Sequence, residues 1–305
     1  MLFAAVIGNG TQLFVLTVIL LCLALLDAFE PGKNRGAIYV SAVMFYAMTS
    51  VINGYISTRL YLQMQGDKWA LQSLLTCGLF TIPCFLTFCF VNSIAWYYGS
   101  SSALPAASAA FLICMWALIS IPFTIFGSLR AKRSGTHNYD APCKTNRVQR
   151  EIPPPSSWYR AMPFQLLIAG FLPFSAIYIE LHYIYLSIYG HSVYTMFGLL
   201  AVAFVMLVIV TSFITIALTY FQLCAEDWNW NWRSFFSAAT TGLFVQFYAV
   251  FYYFARSQMS GILQGAFFFG YNFCISLGFS LMLGTIGWYS AQLFVKHIYK
   301  QIKID

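Results

Sequence analysis

The chain has 305 residues, of which 60% are hydrophobic and 8% charged, and a formal charge of +7. A water-soluble domain carries about 25% charged residues, so this composition excludes a water-facing globule and makes a lipid bilayer the expected solvent. In that setting the basic excess reads as membrane topology and affinity for anionic headgroups rather than nucleic-acid binding.

An all-α, polytopic transmembrane bundle follows, with eight spans near the ~20 apolar residues that a crossing needs. The expected spans are Thr11–Phe29, Gly36–Ser57, Leu71–Trp96 and Ala106–Leu129, then Pro163–Ile188, Val193–Phe221, Phe235–Phe254 and Gly261–Phe294. The last is too long for a plain crossing, yet no polar turn divides it, so one long helix is expected, with Gly284 and Gly287 as places for a kink. Met1–Leu13 has no basic stretch ahead of its apolar run and does not read as a cleaved signal peptide.

Two polar segments remain. Residues 130–162 form a basic loop that holds Pro153-Pro154-Pro155, an extended and stiff run. At this length it is too short for a domain with its own core. Residues 295–305 form a short tail. With both termini in the cytosol, all of the 16 Lys and Arg except Lys33, Arg35 and Arg256 fall on the cytosolic side. The positive-inside rule therefore predicts this orientation.

Polar groups at membrane depth are the usual pointers to function. Glu180 and His182 stand two apart in the fifth span and point to different sides of a helix. They are candidates for a proton or ligand site, and equally for groups that pack helices together. Asn53, Asn92, Gln246, Gln264 and Asn272 read as interhelical hydrogen-bonding groups. Cys22, Cys77, Cys84, Cys89, Cys114 and Cys274 lie in apolar runs without a C-x-x-C pair and read as packing residues. Cys143 and His137 share the basic loop but make no metal site. The sequence has no H-E-x-x-H, G-x-S-x-G, P-loop or G-x-G-x-x-G. No enzyme, metal or cofactor is expected.

The most distinctive stretch is Leu223–Phe236, LCAEDWNWNWRSFF. It sets Glu226 and Asp227 beside three alternating tryptophans, Trp228, Trp230 and Trp232, and then Arg233. Such a segment cannot cross hydrocarbon and belongs at the interface, with indoles among headgroups or against neighbouring helices. One of the two acids is expected to pair with Arg233.

Cys224–Phe235 resembles the C-A-E-D-[YW]-x-W-x-W-R-S-F pattern of the nonaspanin, or transmembrane 9 superfamily, proteins. Gly10-Thr11-Gln12-Leu13 is similar to that family's G-[AT]-G-x-Q-L, with Asn9 where many members carry a small residue. Gly54–Tyr61, Lys144-Thr145-Asn146 with Arg150-Glu151-Ile152-Pro153, Leu172-Pro173-Phe174 and Gly284–Gly287 fit other family motifs. The resemblance covers essentially the whole chain.

It implies a longer protein, with a luminal amino-terminal domain and one span ahead of the eight read here. It also implies residence in the Golgi and endosomes, and a part in sorting and localising other transmembrane proteins, its clients. Members end in K-x-[DE], read by the COPI coat; here Lys303 and Asp305 match. An alternative reading is a transporter or channel that uses Glu180 and His182.

Overall fold

The structure, a computed structural model, describes residues 1–26, 37–100, 103–135, 148, 151–152, 162–189, 197–256 and 261–301. These are helical: α1 (Leu2–Leu25), α2 (Ala37–Gln63), α3 (Trp69–Tyr97), α4 (Ala106–Met115) continued through a π-helical turn (Trp116–Ser120) into α5 (Ile121–Arg133), α6 (Met162–Tyr189), α7 (Phe197–Cys224), α8 (Trp230–Ala255) and α9 (Ile262–Gln301). With α4, the π turn and α5 counted as one, eight helices are long and apolar enough to cross a membrane.

The helices form two groups joined along α9. α1, α2, α3 and α5 pack together on one side, and α6, α7 and α8 on the other; α9 touches α8, α1, α7 and α3. α9 runs for 40 residues without a break, roughly 60 Å at the α-helical rise. The helix continues through Gly284 and Gly287, where a Cβ would run into the Phe235 ring and the Ala238 methyl. Among the spans α8 is the most enclosed, with 56% of its apolar window buried, against 11% for the α4–α5 span, which faces outward.

α1 begins at Leu2 rather than Thr11, because Phe3–Ile7 is a buried apolar run and the polar residues after it find partners. Asn9 donates to the Thr76 carbonyl at 2.8 Å. Asn53 of α2 donates to Asn9 Oδ1 at 3.3 Å and to Gln12 Oε1 at 2.7 Å, while Gln12 donates to the Tyr46 carbonyl at 2.8 Å. The Asn9 bond to Thr76 joins α3 to the same network, and within α3 Gln72 donates to Thr76 Oγ1 at 3.3 Å. In hydrocarbon an amide without a partner is costly. This connected set of amides therefore fixes α1, α2 and α3 against one another. The Asn53 Oδ1 atom lies outside the set and faces Gly8, where a Cβ would stand 2.6 Å from it.

Small residues let α2 and α5 meet at backbone distance. A Cβ on Gly54 would stand 2.0 Å from the Thr124 carbonyl oxygen, and one on Gly127 2.1 Å from that of Val51. This is the close packing on small residues by which membrane helices associate. On α7, Thr211, Thr215 and Thr219 are buried in a stripe. Each donates its hydroxyl to the carbonyl four residues earlier.

Candidate functional site

The stretch from Gln222 to Phe236 turns the chain from α7 into α8. Its first part is a helix cap of Schellman type. The Asp227 N–H bonds the Gln222 carbonyl at 3.2 Å and the Glu226 N–H bonds that of Leu223 at 3.0 Å. Glu226 occupies the left-handed position with φ of 61°, where glycine is usual.

That turn delivers the Asp227 carboxylate to the start of α8. Its Oδ1 accepts the Asn229 N–H at 3.0 Å. Its Oδ2 accepts from Gln222 Nε2 at 2.9 Å and from Arg233 Nη1 at 3.1 Å. Arg233 extends its other guanidinium nitrogen to Gln165 Oε1, near the start of α6. Arg233 and Asp227 are 21% and 16% exposed, so water screens their attraction only partly. The anion at the beginning of α8 also complements the helix dipole. The pairing expected for this stretch is thus made by Asp227, and Gln165 and Gln222, neutral residues that no sequence motif marks, complete it.

The next residues reach the other half of the bundle. Asn231 Oδ1 accepts the indole N–H of Trp288 on α9 at 3.1 Å. Trp232 meets the Phe3 ring of α1 edge-on at 4.8 Å and stacks on Phe236 at 5.4 Å. Phe3 in turn lies edge-on to Trp288 at 5.5 Å. Trp230 is partly buried against the core, and Trp228 is 42% exposed. One turn therefore ties α1, α6, α7, α8 and α9 together at one end of the molecule. A crevice beside Arg233, between Gln165, Gln222 and Ser237, has a volume of about 10 Å³, near the size that admits one water. The arrangement fastens helices together.

Glu180 and His182 lie toward the far end of α6, roughly 25 Å along the axis from Gln165. Glu180 is 7% exposed. His182 Nδ1 is 2.9 Å from the Tyr248 hydroxyl of α8. One turn on, Tyr185 donates to Asn272 Oδ1 of α9 at 2.6 Å and stacks on Tyr248 at 5.6 Å. Ser175 is exposed and bonds the Leu172 carbonyl, so it makes no pair with His182. Of the other amides, Asn92 bonds Leu104 in the segment before α4, and Gln246 Oε1 is buried without a hydrogen-bond partner. Among the described residues no group of three His, Cys, Asp or Glu could hold a metal. Lys303, Asp305, His137 and Cys143 lie outside the described residues.

Helices that are apolar on all sides, buried amides bonded within the bundle and an aromatic, charged turn at one end define a polytopic α-helical membrane protein. The family model for Endomembrane protein 70 matches residues 1–262. Transmembrane 9 superfamily member 3 of Arabidopsis thaliana is 50% identical over 304 residues, which is 100% of this chain and 51% of that protein. Transmembrane 9 superfamily member 1 of Mus musculus is 43% identical, over 100% of this chain and 50% of its own. A Dictyostelium discoideum protein named putative phagocytic receptor 1b is 43% identical over 99% of this chain and 51% of its own. No solved structure matches. The chain belongs to the Endomembrane protein 70, or nonaspanin, family, and it spans about half the length of the curated relatives it matches.

Proposed function

We propose that this chain is the membrane-embedded part of a Golgi and endosomal protein that sorts and localises other transmembrane proteins. The observation that carries the reading is identity of 43 to 50% with transmembrane 9 superfamily members along the whole chain. The fastened turn at Asp227 and Arg233 suits a scaffold that presents helix surfaces to client spans, and the names of the family and its relatives are not those of enzymes. The basic bias supports a cytosolic carboxy terminus. There Lys303, Asp305 and the terminal carboxylate offer one cation and two anions to a pocket of the COPI coat. Changing Lys303 and Asp305 together to serine in a tagged protein is expected to release it from the Golgi. Unaltered localisation would overturn the tail reading.

A second reading is transport through the bundle, favoured by the burial of Glu180 and by the His182–Tyr248 contact. Its test is solute flux in vesicles reconstituted with the purified protein. Flux that is present in the parent and lost in Glu180→Gln supports transport, and its absence in the parent removes it.

A further inference from the structure

Between α3 and α5, at the end of the bundle that holds Asp227 and Arg233, an open groove of about 120 Å³ is lined by Trp69, Leu74, Cys77, Ile121 and Ile125. That volume approaches the about 150 Å³ of an apolar cavity that takes up benzene. Two hydroxyl residues, Ser73 and Thr124, also line it, but both hydroxyls already have partners. Ser73 bonds the Trp69 carbonyl and Ser128, and Thr124 bonds the Ser120 carbonyl. The groove wall is therefore apolar toward any occupant and suits a hydrocarbon chain rather than a polar solute.

The mouth has the opposite character. Lys132 holds its ammonium over the Trp69 ring, 4.8 Å from the centroid, a cation–π contact that stations the charge at the rim. Lys68, Arg130 and Arg133 are exposed on the same two helix ends, and Asp67 precedes Lys68 in the chain. An indole at the interface with ammonium groups around it is the arrangement that meets headgroups.

We propose that this groove binds one anionic glycerophospholipid, its acyl chain along α3 and α5 and its phosphate against Lys132 and Lys68. The site is independent of the sorting reading. Charge at the rim selects an anionic lipid over a zwitterionic one, and the apolar wall selects a lipid over a soluble phosphate.

The test uses the full chain in phosphatidylcholine nanodiscs doped with phosphatidylserine that carries a photoreactive acyl chain, compared with the matching phosphatidylcholine probe. Peptides labelled on photolysis are mapped by mass spectrometry. The serine lipid is expected to label the Leu74–Cys77 and Ile121–Ile125 segments several-fold more than the choline lipid. Lys68→Gln with Lys132→Gln, both exposed, should weaken capture of the serine lipid by about thirtyfold at unchanged helicity. Leu74→Trp, which fills the groove from an exposed position, should reduce labelling by both probes at unchanged helicity. Equal labelling by the two headgroups, or serine-lipid labelling as dense at Leu243 and Phe247 on the outer face of α8, would overturn the proposal in favour of ordinary boundary lipid. Loss of labelling on addition of inorganic phosphate would overturn it in favour of a soluble anion.

Discussion

Gly10 of α1 lies so close to Thr285 of α9 that a Cβ on it would stand 1.8 Å from the Thr285 hydroxyl oxygen and 2.2 Å from the Leu281 carbonyl oxygen. Thr285 cannot turn away freely, because its hydroxyl donates to that same carbonyl at 2.8 Å. Two sequence motifs far apart in the chain, Gly10-Thr11-Gln12-Leu13 and Gly284–Gly287, thus form the two sides of one contact. Gly10→Ala is expected to force α1 from α9 and lower stability by about 1–3 kcal/mol, the cost of overpacking. Thermal unfolding in detergent, followed by tryptophan fluorescence, measures it. Gly198, with nothing within 4 Å of a Cβ, is the control, and its change to alanine should leave the midpoint level or higher. A Gly10→Ala midpoint equal to the parent's would show that the helices do not meet as described.

The Asp227–Arg233 pair gives a coupling that can be measured. Asp227→Asn removes the charge, and Arg233→Lys cannot reach Asp227 and Gln165 at once. Each change is expected to lower stability by about 1–2 kcal/mol, with the double variant falling short of the sum. Strict additivity in the double-mutant cycle would mean that the two side chains do not act together.

Glu226 offers a change in the other direction. It holds a left-handed backbone at φ of 61°, which costs a residue with a Cβ roughly 1 kcal/mol or more. Glu226→Gly should raise the unfolding midpoint. A lower midpoint would show that contacts of the glutamate side chain outweigh the strain it carries.

The amide network predicts an asymmetry between amides of similar sequence context. Asn53→Leu leaves Asn9 Oδ1 and Gln12 Oε1 without the donor they share. A loss of about 1–2 kcal/mol is expected. Gln264→Leu, at an exposed position on α9, should stay within about 0.5 kcal/mol. Equal effects at the two sites would place Asn53 outside the network.

Composition alone was enough to read the eight apolar helices, because hydrocarbon admits little else in a chain so poor in charge. That one of the two acids pairs with Arg233 was legible for a related reason: opposite charges that cannot enter lipid lie about one turn from a helix start; that it is Asp227 follows from the turn at Glu226. Their neutral partners were not. Gln165 and Gln222 meet the pair, and Asn231 meets Trp288, only once four different helices are placed. Helices that are apolar on every side carry no periodic stripe to say which face goes where. The start of α1 was misjudged for the same cause. Asn9 looks like a residue outside the membrane until Asn53 and Thr76 come into view. That His182 meets Tyr248 follows from the packing of α6 on α8.

The threonine stripe of α7 bears on how that helix is held. With each hydroxyl committed to its own backbone, α7 meets α9 at Gly287 and Thr215 by shape and dispersion, without a directional bond in that stripe. Its end at Gln222, by contrast, is bonded to Asp227. Along the stripe α7 is therefore located by fit alone, and at Gln222 by a bond, so its register against α8 is set at that end.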